Sequence, residues 1–319
     1  MGSWELYSQN RSTVTKFIIF GFPNLQGFQA LLFWIFLTIY LLTVTGNGMI
    51  LLLTNTDAKL MTPMYLFISH LSFLDMSYVT VTVPKMLAKF LMDNSDISFS
   101  GCFLQMYLFL SMAATECFLL AVMSFDRYYA ICRPLHYHSR MTRKISIYLS
   151  TAAWTGGFLA CFPLVVFAST LPFCGPNVIH HYYCDHPPLL QLACADTSLN
   201  VVLGSSIGFF VIISSFSLVV ASYVQIILSI LRIASPGGRR KAFSTCTSHL
   251  IVVNLFFLPL VFMYIRPTAS YSPDTDSLIA MLYTVLTPML NPLIYTLRNK
   301  DIRETFERKM AVFSTNISK

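Results

Sequence analysis

Two acidic side chains lie inside stretches of the chain that are otherwise free of charge. Asp75 is the only charged residue between Lys59 and Lys85, and Glu116 is the only one in the segment 102–125. If these stretches cross a lipid bilayer, an ionised carboxylate at such a depth costs roughly 2.5–3.5 kcal/mol on insertion scales. Acidic groups in this situation usually face the interior of a helix bundle and interact with a partner there.

The chemistry that two such carboxylates support is the binding of a small cation. If the two segments form neighbouring antiparallel helices, Asp75 and Glu116 lie at similar depths. Two adjacent carboxylates cannot both remain ionised without a cation between them. We therefore expect a buried sodium ion, with Asn47 and Asn291 as additional oxygen donors. The alternative is a proton shared between the two acids within a polar network that includes water.

The composition indicates a membrane environment for the elements that position these acids. Of the 319 residues, 55% are hydrophobic and only 11% are charged, compared with about 25% charged residues in a typical soluble domain. A chain this apolar would expose large hydrophobic patches in water. The net charge of +7 comes from short basic clusters between apolar runs, which argues against a nucleic-acid partner.

Segments without charge, apart from Asp75 and Glu116, predict the transmembrane helices. Each is long enough to cross a bilayer, which requires about 20 residues. The seven predicted spans are 28–54, 63–84, 102–125, 145–170, a span within 197–231, 242–265 and 277–297. The predicted fold class is therefore an all-α membrane protein, a seven-transmembrane helix bundle.

Three regions follow from this division: an extracellular N-terminal tail at 1–27, the bundle at 28–298 and a cytoplasmic segment at 299–319. In the last region, Ile302, Phe306 and Met310 recur at a spacing of four among charged residues. This spacing indicates a short amphipathic C-terminal helix over 301–310 on the inner leaflet of the membrane. A frayed tail is the alternative.

The distribution of Lys and Arg gives the orientation. With the N-terminus outside the cell, 16 of the 21 Lys and Arg residues lie on the cytoplasmic side and 5 on the outer side. The positive-inside rule therefore places the N-terminus outside and the C-terminus in the cytoplasm of a multi-pass plasma-membrane protein. The sequon at Asn10 then lies outside and is a glycosylation site, whereas the sequon at Asn316 lies inside and is not.

Half of the cysteines fall in the predicted outer regions, where the environment is oxidising and pairing is expected. These four are Cys102, Cys174, Cys184 and Cys194. Four cysteines allow three connectivities, and spacing alone does not choose among them. A zinc site is an alternative because His180, His181 and His186 lie in the same loop, but their spacing matches no known zinc pattern.

Neither catalysis nor transport is indicated. The chain contains no His-Glu-x-x-His zinc motif and no Gly-Lys-Ser/Thr phosphate-binding loop, so no enzyme class is predicted. Transporters are usually built from internal repeats. No such repeat is visible in the sequence, and seven spans do not divide into equal halves.

Two short motifs resemble those of rhodopsin-like G-protein-coupled receptors: Asp126-Arg127-Tyr128 at the end of the third span, and Asn291-Pro292-Leu293-Ile294-Tyr295 in the seventh. Longer strings across nearly the whole chain resemble vertebrate odorant receptors of the tetrapod type. They are PMYLF at 63–67, MSFDRYYAIC at 123–132, KAFSTCTSHL at 241–250 and PMLNPLIY at 288–295. These long strings are much more specific than the three-letter motifs.

The resemblance to odorant receptors implies a disulfide pairing and a cytoplasmic switch. The pairs are Cys102–Cys184 and Cys174–Cys194. Arg127 is implied to hold Asp126 at rest and to release it when the G-protein tail binds. The residues implied to take part in this switch are Asp126, Arg127, Tyr128, Tyr223, Asn291, Pro292 and Tyr295. Family membership also implies a stimulatory, olfactory-type G protein and a rise in cyclic AMP.

A ligand pocket is expected among facing side chains of the bundle, below the extracellular loop. Helical spacing places two sets of mostly apolar residues on single faces: Phe109, Leu110, Ala113, Ala114 and Cys117 on the third span, and Phe257, Leu260, Val261 and Tyr264 on the sixth. Correspondence with the family adds Ile207, Val211, Met281 and Thr284. The alternative is ordinary packing between helices.

The residues at two positions narrow the class of ligand. Phe109 lies where amine receptors of this class carry an aspartate, and Val285 lies where light-sensing relatives carry the lysine that binds retinal. We therefore expect a small, mostly hydrophobic volatile molecule; the alternative is a non-odorant small molecule outside the olfactory epithelium. One departure from the family is Phe257-Leu258 in place of the usual Tyr-Gly, followed by Pro259, which is expected to kink the sixth helix.

Overall fold

A computed structural model describes residues 14–21, 27–92, 95–174, 176–265, 273–298 and 300–317. In chain order its elements are β1 (Lys16–Ile19), α1 (Gln29–Thr56), α2 (Pro63–Met92), β2 (Asp96–Ser98), α3 (Phe99–Cys132), α4 (Pro134–Arg140), α5 (Arg143–Ser169), β3 (Val178–Ile179), α6 (His186–Leu190), α7 (Ser198–Leu231), α8 (Pro236–Ile265), α9 (Pro273–Met281), α10 (Thr287–Arg298) and α11 (Lys300–Ile317). A short 3-10 helix follows α1, and a segment of five residues joins α9 to α10.

Seven helical segments within the described ranges are long and apolar enough to cross a membrane, so the seven-helix fold is confirmed. They are α1, α2, α3, α5, α7, α8 and the segment that runs from α9 into α10. α2 is longer than predicted because it continues through Pro84 and includes Lys85 and Lys89. Long basic side chains can reach the polar interface from within a helix, so the first charge after an apolar stretch does not mark the helix end.

α3 lies at the centre of the bundle, with most of its side chains buried, and it packs closely against α5. The close approach depends on Gly157 of α5. A Cβ atom at this position would overlap with the Thr115 side chain and would lie 2.8 Å from the Ser111 carbonyl oxygen. Small residues at such positions allow transmembrane helices to come together. Gly157 therefore sets the separation of α3 and α5.

The seventh span is interrupted near its middle by a π-helical segment, Leu282–Leu286. Both the backbone N–H and the hydroxyl of Thr287 donate to the Leu282 carbonyl oxygen, the hydroxyl at 2.9 Å. Widened turns of this kind are rare and frequently occur at functional sites. Here the segment directs its central three residues into the bundle, where they are buried.

A three-stranded sheet that the sequence did not predict covers the N-terminal end of α3. β1 lies in the middle, antiparallel to β2 and parallel to β3. Phe17 of β1 is fully buried and packs against Phe99 and Phe173, with ring centroids 5.8 and 5.4 Å apart. The sheet thus joins the N-terminal segment to two loops on the predicted extracellular side.

Two disulfides fix the long loop between α5 and α7. Cys102–Cys184 joins α3 to this loop, and Cys174–Cys194 closes a shorter ring within it. Both pairs are those implied by the resemblance to odorant receptors. Because Cys184 is held against α3, the residues that follow it are placed over the mouth of the bundle.

The predicted amphipathic helix is present as α11 and extends past residue 310. Its apolar side is anchored by Ile302, which is fully buried. Polar contacts tie the helix to the bundle: Arg308 forms an ion pair with Asp57 just after α1, and Tyr65 of α2 donates to the Asp301 carboxylate at 2.9 Å. α11 is therefore docked on the predicted cytoplasmic ends of α1 and α2.

Candidate functional site

A cavity of about 350 Å³ lies between α3, α5, α7 and α8, and the loop helix α6 forms part of its wall. This volume lies within the range of about 300–1,000 Å³ that is typical of small-molecule sites. The wall is mostly apolar and is built from side chains on five helices. The cavity is thus large enough to hold a compact ligand.

Seven residues predicted for the ligand pocket line this cavity. They are Leu110, Ala113, Ala114, Cys117, Ile207, Val211 and Leu260. The small side chains at Ala113 and Ala114 leave part of the space open on the α3 side. Four of the five residues predicted on α3 therefore line the cavity, and α7 contributes two that the family correspondence implied, but of the predicted α8 residues whose side chains the structure describes only Leu260 does.

The other predicted pocket residues lie outside the cavity wall or outside the described side chains. Phe109 packs between Tyr78 and Tyr183, with ring centroids 4.9 and 4.3 Å away. The Thr284 hydroxyl is hydrogen-bonded to the Tyr182 hydroxyl at 2.6 Å.

On the sixth and seventh spans, Phe257 packs against Phe216 of α7, at 5.4 Å between ring centroids. Val261 and Met281 pack against the core of the bundle and do not line the cavity. The side chain of Tyr264 lies outside the described residues. The predicted glycosylation site, Asn10, also lies outside them. At the cavity, α8 contributes the predicted Leu260 together with Met263, which was not predicted.

Sequence reasoning missed the part of the wall that comes from α5, from α6 and from the first turns of α7. These residues include Cys161, Leu164, Asp185, His186, Leu190 and Gly204. A loop has no helical periodicity, so its pocket residues cannot be predicted from apolar side chains at helical spacing. One signal was present, however: residues 185 and 186 directly follow Cys184, whose disulfide must hold them beside α3.

The polar residues of α6 are positioned by local hydrogen bonds. The Asp185 side chain accepts the backbone N–H of His186 at 2.8 Å and the Tyr183 hydroxyl at 3.4 Å. Pro187 at the start of the helix lacks a backbone N–H, which suits the first turn. Burial lowers the pKa of His186 to about 4, so its ring is uncharged at neutral pH.

Gly204 and Gly208 both line the cavity from α7. The string GSSIG at 204–208 has the Gly-x-Ser-x-Gly spacing of serine hydrolases, but it lies in the continuous helix α7. That motif functions on a sharp turn between a strand and a helix, with a histidine and an acid as partners. The structural context therefore does not support a catalytic serine.

A second group of buried polar side chains lies between α1, α2, α3 and α10. Asn291 donates to the Asp75 carboxylate at 2.9 Å, and Asn47 donates to the Pro288 carbonyl oxygen at 3.0 Å. Glu116 lies close enough to Asp75 to interact with it electrostatically.

Each of these four side chains keeps one buried oxygen without a hydrogen-bond partner in the described part of the chain. The oxygens are Asp75 Oδ1, Glu116 Oε1, Asn47 Oδ1 and Asn291 Oδ1. Buried polar atoms are almost always paired, so this pattern is what a hard cation with oxygen ligands, or water, would satisfy. Among the described residues, no group of three or more His, Cys, Asp or Glu side chains could hold a metal ion, and this includes the loop histidines considered for zinc.

The Asp-Arg-Tyr motif at the end of α3 interacts with the neighbouring loop helix. The Asp126 carboxylate accepts a hydrogen bond from the Tyr137 hydroxyl of α4 at 3.0 Å. Burial and the nearby Asp126 carboxylate raise the pKa of Tyr137, so the hydroxyl remains a donor. Arg127 and Tyr128 lie beside this pair and are half-buried.

The predicted switch residues on α7 and α10 are also buried near this end of the bundle. The Tyr223 hydroxyl is hydrogen-bonded to His249 Nδ1 of α8 at 2.7 Å, and the two rings are stacked. His249 was not predicted as a switch residue, although it lies in the string shared with odorant receptors. Tyr295 is buried on α10, and Pro292 packs where Gly46 leaves space on α1.

Comparison with known proteins gives consistent matches over most of the chain. The family model described as “Olfactory receptor” matches residues 36–312. Olfactory receptor 6N1 from Homo sapiens is 50% identical over 301 residues, which cover 94% of this chain and 96% of the relative. Olfactory receptor-like protein OLF1 from Canis lupus familiaris is 47% identical over 299 residues, covering 94% of this chain and 96% of the relative.

Among solved structures, the crystal structure of squid rhodopsin is similar in fold. The TM-score is 0.71 at 17% sequence identity, and the match covers 89% of this chain and 80% of that chain. At this level of identity, the match shows the arrangement of the helices alone.

Proposed function

The chain belongs to the olfactory receptor family, and from this premise we propose that the cavity between α3, α5, α7 and α8 binds a small, mostly hydrophobic odorant. The protein is a multi-pass plasma-membrane receptor of the seven-helix type and not an enzyme. Binding of the odorant activates a heterotrimeric G protein of the stimulatory, olfactory type, and cyclic AMP rises.

The main support for an odorant ligand is the apolar character of the cavity wall. Side chains such as Leu110, Ala114, Val211 and Leu260 form most of it, and the described wall contains no Lys or Arg. Transfer of an apolar ligand from water to such a site contributes about 25 cal/mol for each Å² of apolar surface that is buried. A small hydrophobic molecule therefore gains most of its binding free energy from burial.

The route from the cavity to the G protein runs along α8. Leu260 lines the cavity and directly follows Pro259, which lies inside α8 and cannot donate a backbone hydrogen bond to it. A ligand that displaces Leu260 therefore acts next to a point where α8 lacks one backbone hydrogen bond. Movement of the cytoplasmic half of α8 separates His249 from Tyr223, and the Tyr223 hydroxyl becomes free to rearrange toward Arg127.

An odorant panel tests the function and the coupling together. Cells express the full-length receptor with the olfactory-type stimulatory α subunit, and cyclic AMP is measured for each odorant. We expect a response to a subset of uncharged, apolar odorants, and loss of that response in Arg127→Gln at equal surface expression. Activation of another class of G protein without a change in cyclic AMP would contradict the stimulatory coupling, and no response to any odorant would contradict the odorant function.

We further propose that the buried polar group holds a sodium ion. The four unpaired oxygens of Asp75, Glu116, Asn47 and Asn291 support this, because a bound cation satisfies them and offsets the charge of the two acids. The residues would hold the ion between α1, α2, α3 and α10. The ion would stabilise the resting arrangement of these helices.

The sodium proposal is tested by agonist potency in media where sodium is replaced by choline. Wild-type potency should change with sodium, whereas potency in Asp75→Asn and Glu116→Gln should not. Asp196→Asn is the matched control, because Asp196 is an exposed loop acid that bonds to Ser198 and should leave the sodium dependence intact. If both buried variants retained the wild-type dependence on sodium, the proposal would be wrong.

A further inference from the structure

One polar side chain in the cavity wall lacks a partner within the protein. His186 is 6% exposed, and its Nε2 atom is buried without a hydrogen-bond partner. Among the wall residues that the structure describes, it is the only one with such an unpaired side-chain nitrogen or oxygen. A buried polar atom that stays unpaired costs free energy, so a ligand that pairs with it gains affinity.

The imidazole ring of His186 is fixed by its surroundings. Its Cε1–Nδ1 edge rests against Gly204 of α7: a Cβ atom there would lie 2.9 Å from Cε1 and 3.1 Å from Nδ1. The backbone N–H of His186 donates to Asp185 at 2.8 Å, which fixes the start of α6. The disulfide at Cys184 anchors this segment to α3. The ring is therefore held in place before a ligand binds.

The charge state of the ring limits the chemistry that it offers. Burial lowers the pKa of His186 to about 4, so the imidazole is neutral at physiological pH. A neutral imidazole has one nitrogen that donates and one that accepts, and the tautomer decides which is which. The ring can therefore pair with either a hydroxyl or a carbonyl group of a ligand, but it does not supply a positive charge.

Charged ligands are disfavoured by the remaining wall. The described wall has no Lys or Arg to balance a carboxylate. Its one acid, Asp185, already accepts hydrogen bonds from the His186 backbone and from Tyr183. The cavity therefore suits an uncharged molecule with an apolar skeleton.

We propose that His186 is the hydrogen-bonding anchor of the cavity and that it selects odorants with one oxygen function, such as alcohols, aldehydes, ketones or esters, over hydrocarbons of the same shape. The inference rests on the proposed odorant function and deepens it by naming the class of ligand. His186 acts as a specificity-determining residue, and Gly204 acts as its positioning residue.

The test measures binding to the purified full-length receptor and needs no G protein. The ligands are C8 to C10 alcohols and ketones, each paired with the hydrocarbon of the same skeleton, and binding is read as protection against heat-induced loss of monodisperse receptor. In His186→Phe we expect affinity for the oxygenated ligands to fall about 2- to 12-fold, the effect of one net hydrogen bond. Affinity for the hydrocarbons should not fall.

Three further variants separate hydrogen bonding from shape. His186→Gln keeps a donor and an acceptor and should retain more affinity than His186→Phe. Gly204→Ala displaces the ring and should reduce affinity for the oxygenated ligands more than for the hydrocarbons. Leu190→Met changes an apolar wall residue in the same short helix, and it should leave the preference for oxygenated ligands unchanged.

Each outcome of this test decides the inference. If His186→Phe weakened hydrocarbons and oxygenated ligands equally, the residue would have only a packing role. If wild-type receptor bound both kinds of ligand equally well, the anchor would also be refuted, while the odorant function would stand. If no member of the panel protected the wild-type receptor, the proposed ligand class would be overturned, whereas the odorant function would be decided separately by the cyclic AMP panel.

Discussion

The close contact between α3 and α5 predicts that a single methyl group at Gly157 destabilises the receptor. In a freely exposed helix, replacement of glycine by alanine stabilises by about 1 kcal/mol. At Gly157 the added Cβ would overlap with the Thr115 hydroxyl and would lie 2.7 Å from the Thr115 backbone nitrogen and 2.8 Å from the Ser111 carbonyl oxygen. Two of these three atoms belong to the α3 backbone and cannot rotate away.

Relief of this overlap requires α5 to move away from α3, which loses packing along the interface. Overpacking of this kind typically costs about 1–3 kcal/mol, and the gain in helix propensity offsets only part of it. We therefore expect Gly157→Ala to lower the free energy of unfolding by about 1–2 kcal/mol. The neighbouring residue provides the matched control, because a Cβ at Gly156 meets only the Phe118 ring, at 3.4 Å.

The assay is the temperature at which purified receptor in detergent loses its monodisperse state, measured for wild type, Gly157→Ala and Gly156→Ala. We expect a lower midpoint for Gly157→Ala, and a midpoint equal to or above wild type for Gly156→Ala. Equal midpoints for the two variants would refute the argument that backbone contact at Gly157 sets the helix separation.

Two further predictions concern the ends of the bundle. Asp57→Asn removes the ion pair with Arg308 and should loosen α11, measured as faster amide hydrogen exchange in that helix. His181 is buried in the extracellular loop, and burial lowers its pKa to about 3. In the unfolded state this histidine binds a proton near pH 6.5, whereas the buried ring in the folded state does not. The free energy of unfolding should therefore be at its full value above pH 6.5 and should decrease by up to about 1.4 kcal/mol for each pH unit below 6.5. His181→Phe should reduce this pH dependence.

Each of these predictions has its own control. For α11, Arg303→Gln breaks only an exposed pair with Glu307 and should leave hydrogen exchange unchanged; an equal effect of Asp57→Asn and Arg303→Gln would contradict a specific role for the Asp57 contact. For the loop histidine, the comparison is the midpoint of thermal unfolding between pH 7.5 and pH 5. An identical pH dependence in wild type and His181→Phe would show that the buried ring does not contribute.

The number and order of the helices could be predicted from the sequence because lipid imposes a simple rule. A segment in the bilayer core must satisfy its backbone hydrogen bonds internally and must be apolar. Charged residues are rare within a span, and the long charge-free segments of the sequence therefore mark the helices. The ends were less accurate, as at α2, because Lys85 and Lys89 extend from a continuing helix toward the polar interface.

The small sheet could not be predicted. β1, β2 and β3 have four, three and two residues and come from three distant segments of the chain. Strands this short carry no alternation that distinguishes them from loops, and their pairing depends on the bundle that brings the loops together. The buried Phe17 gives the segment its anchor, but its role is visible only in the assembled fold.

The cavity was only partly predictable, for a related reason. α3 is buried on nearly all sides, so apolar spacing alone does not show which residues face a cavity and which face a neighbouring helix. Ala113 and Leu110 line the cavity, whereas Phe109 packs against the rings of Tyr78 and Tyr183. His186 is placed in the wall by a disulfide to α3 rather than by any local pattern.

The central claim is that odorants act from within the cavity, and a pair of tryptophan substitutions on α3 tests it most directly. Ala113→Trp fills the cavity from its wall, whereas Leu104→Trp adds the same side chain on the outer surface of α3, where Leu104 is 57% exposed. Cyclic AMP dose–response curves are measured for an active odorant at equal surface expression. We predict that Ala113→Trp abolishes or strongly weakens the response and that Leu104→Trp leaves it unchanged; wild-type potency and maximum in Ala113→Trp would contradict the account.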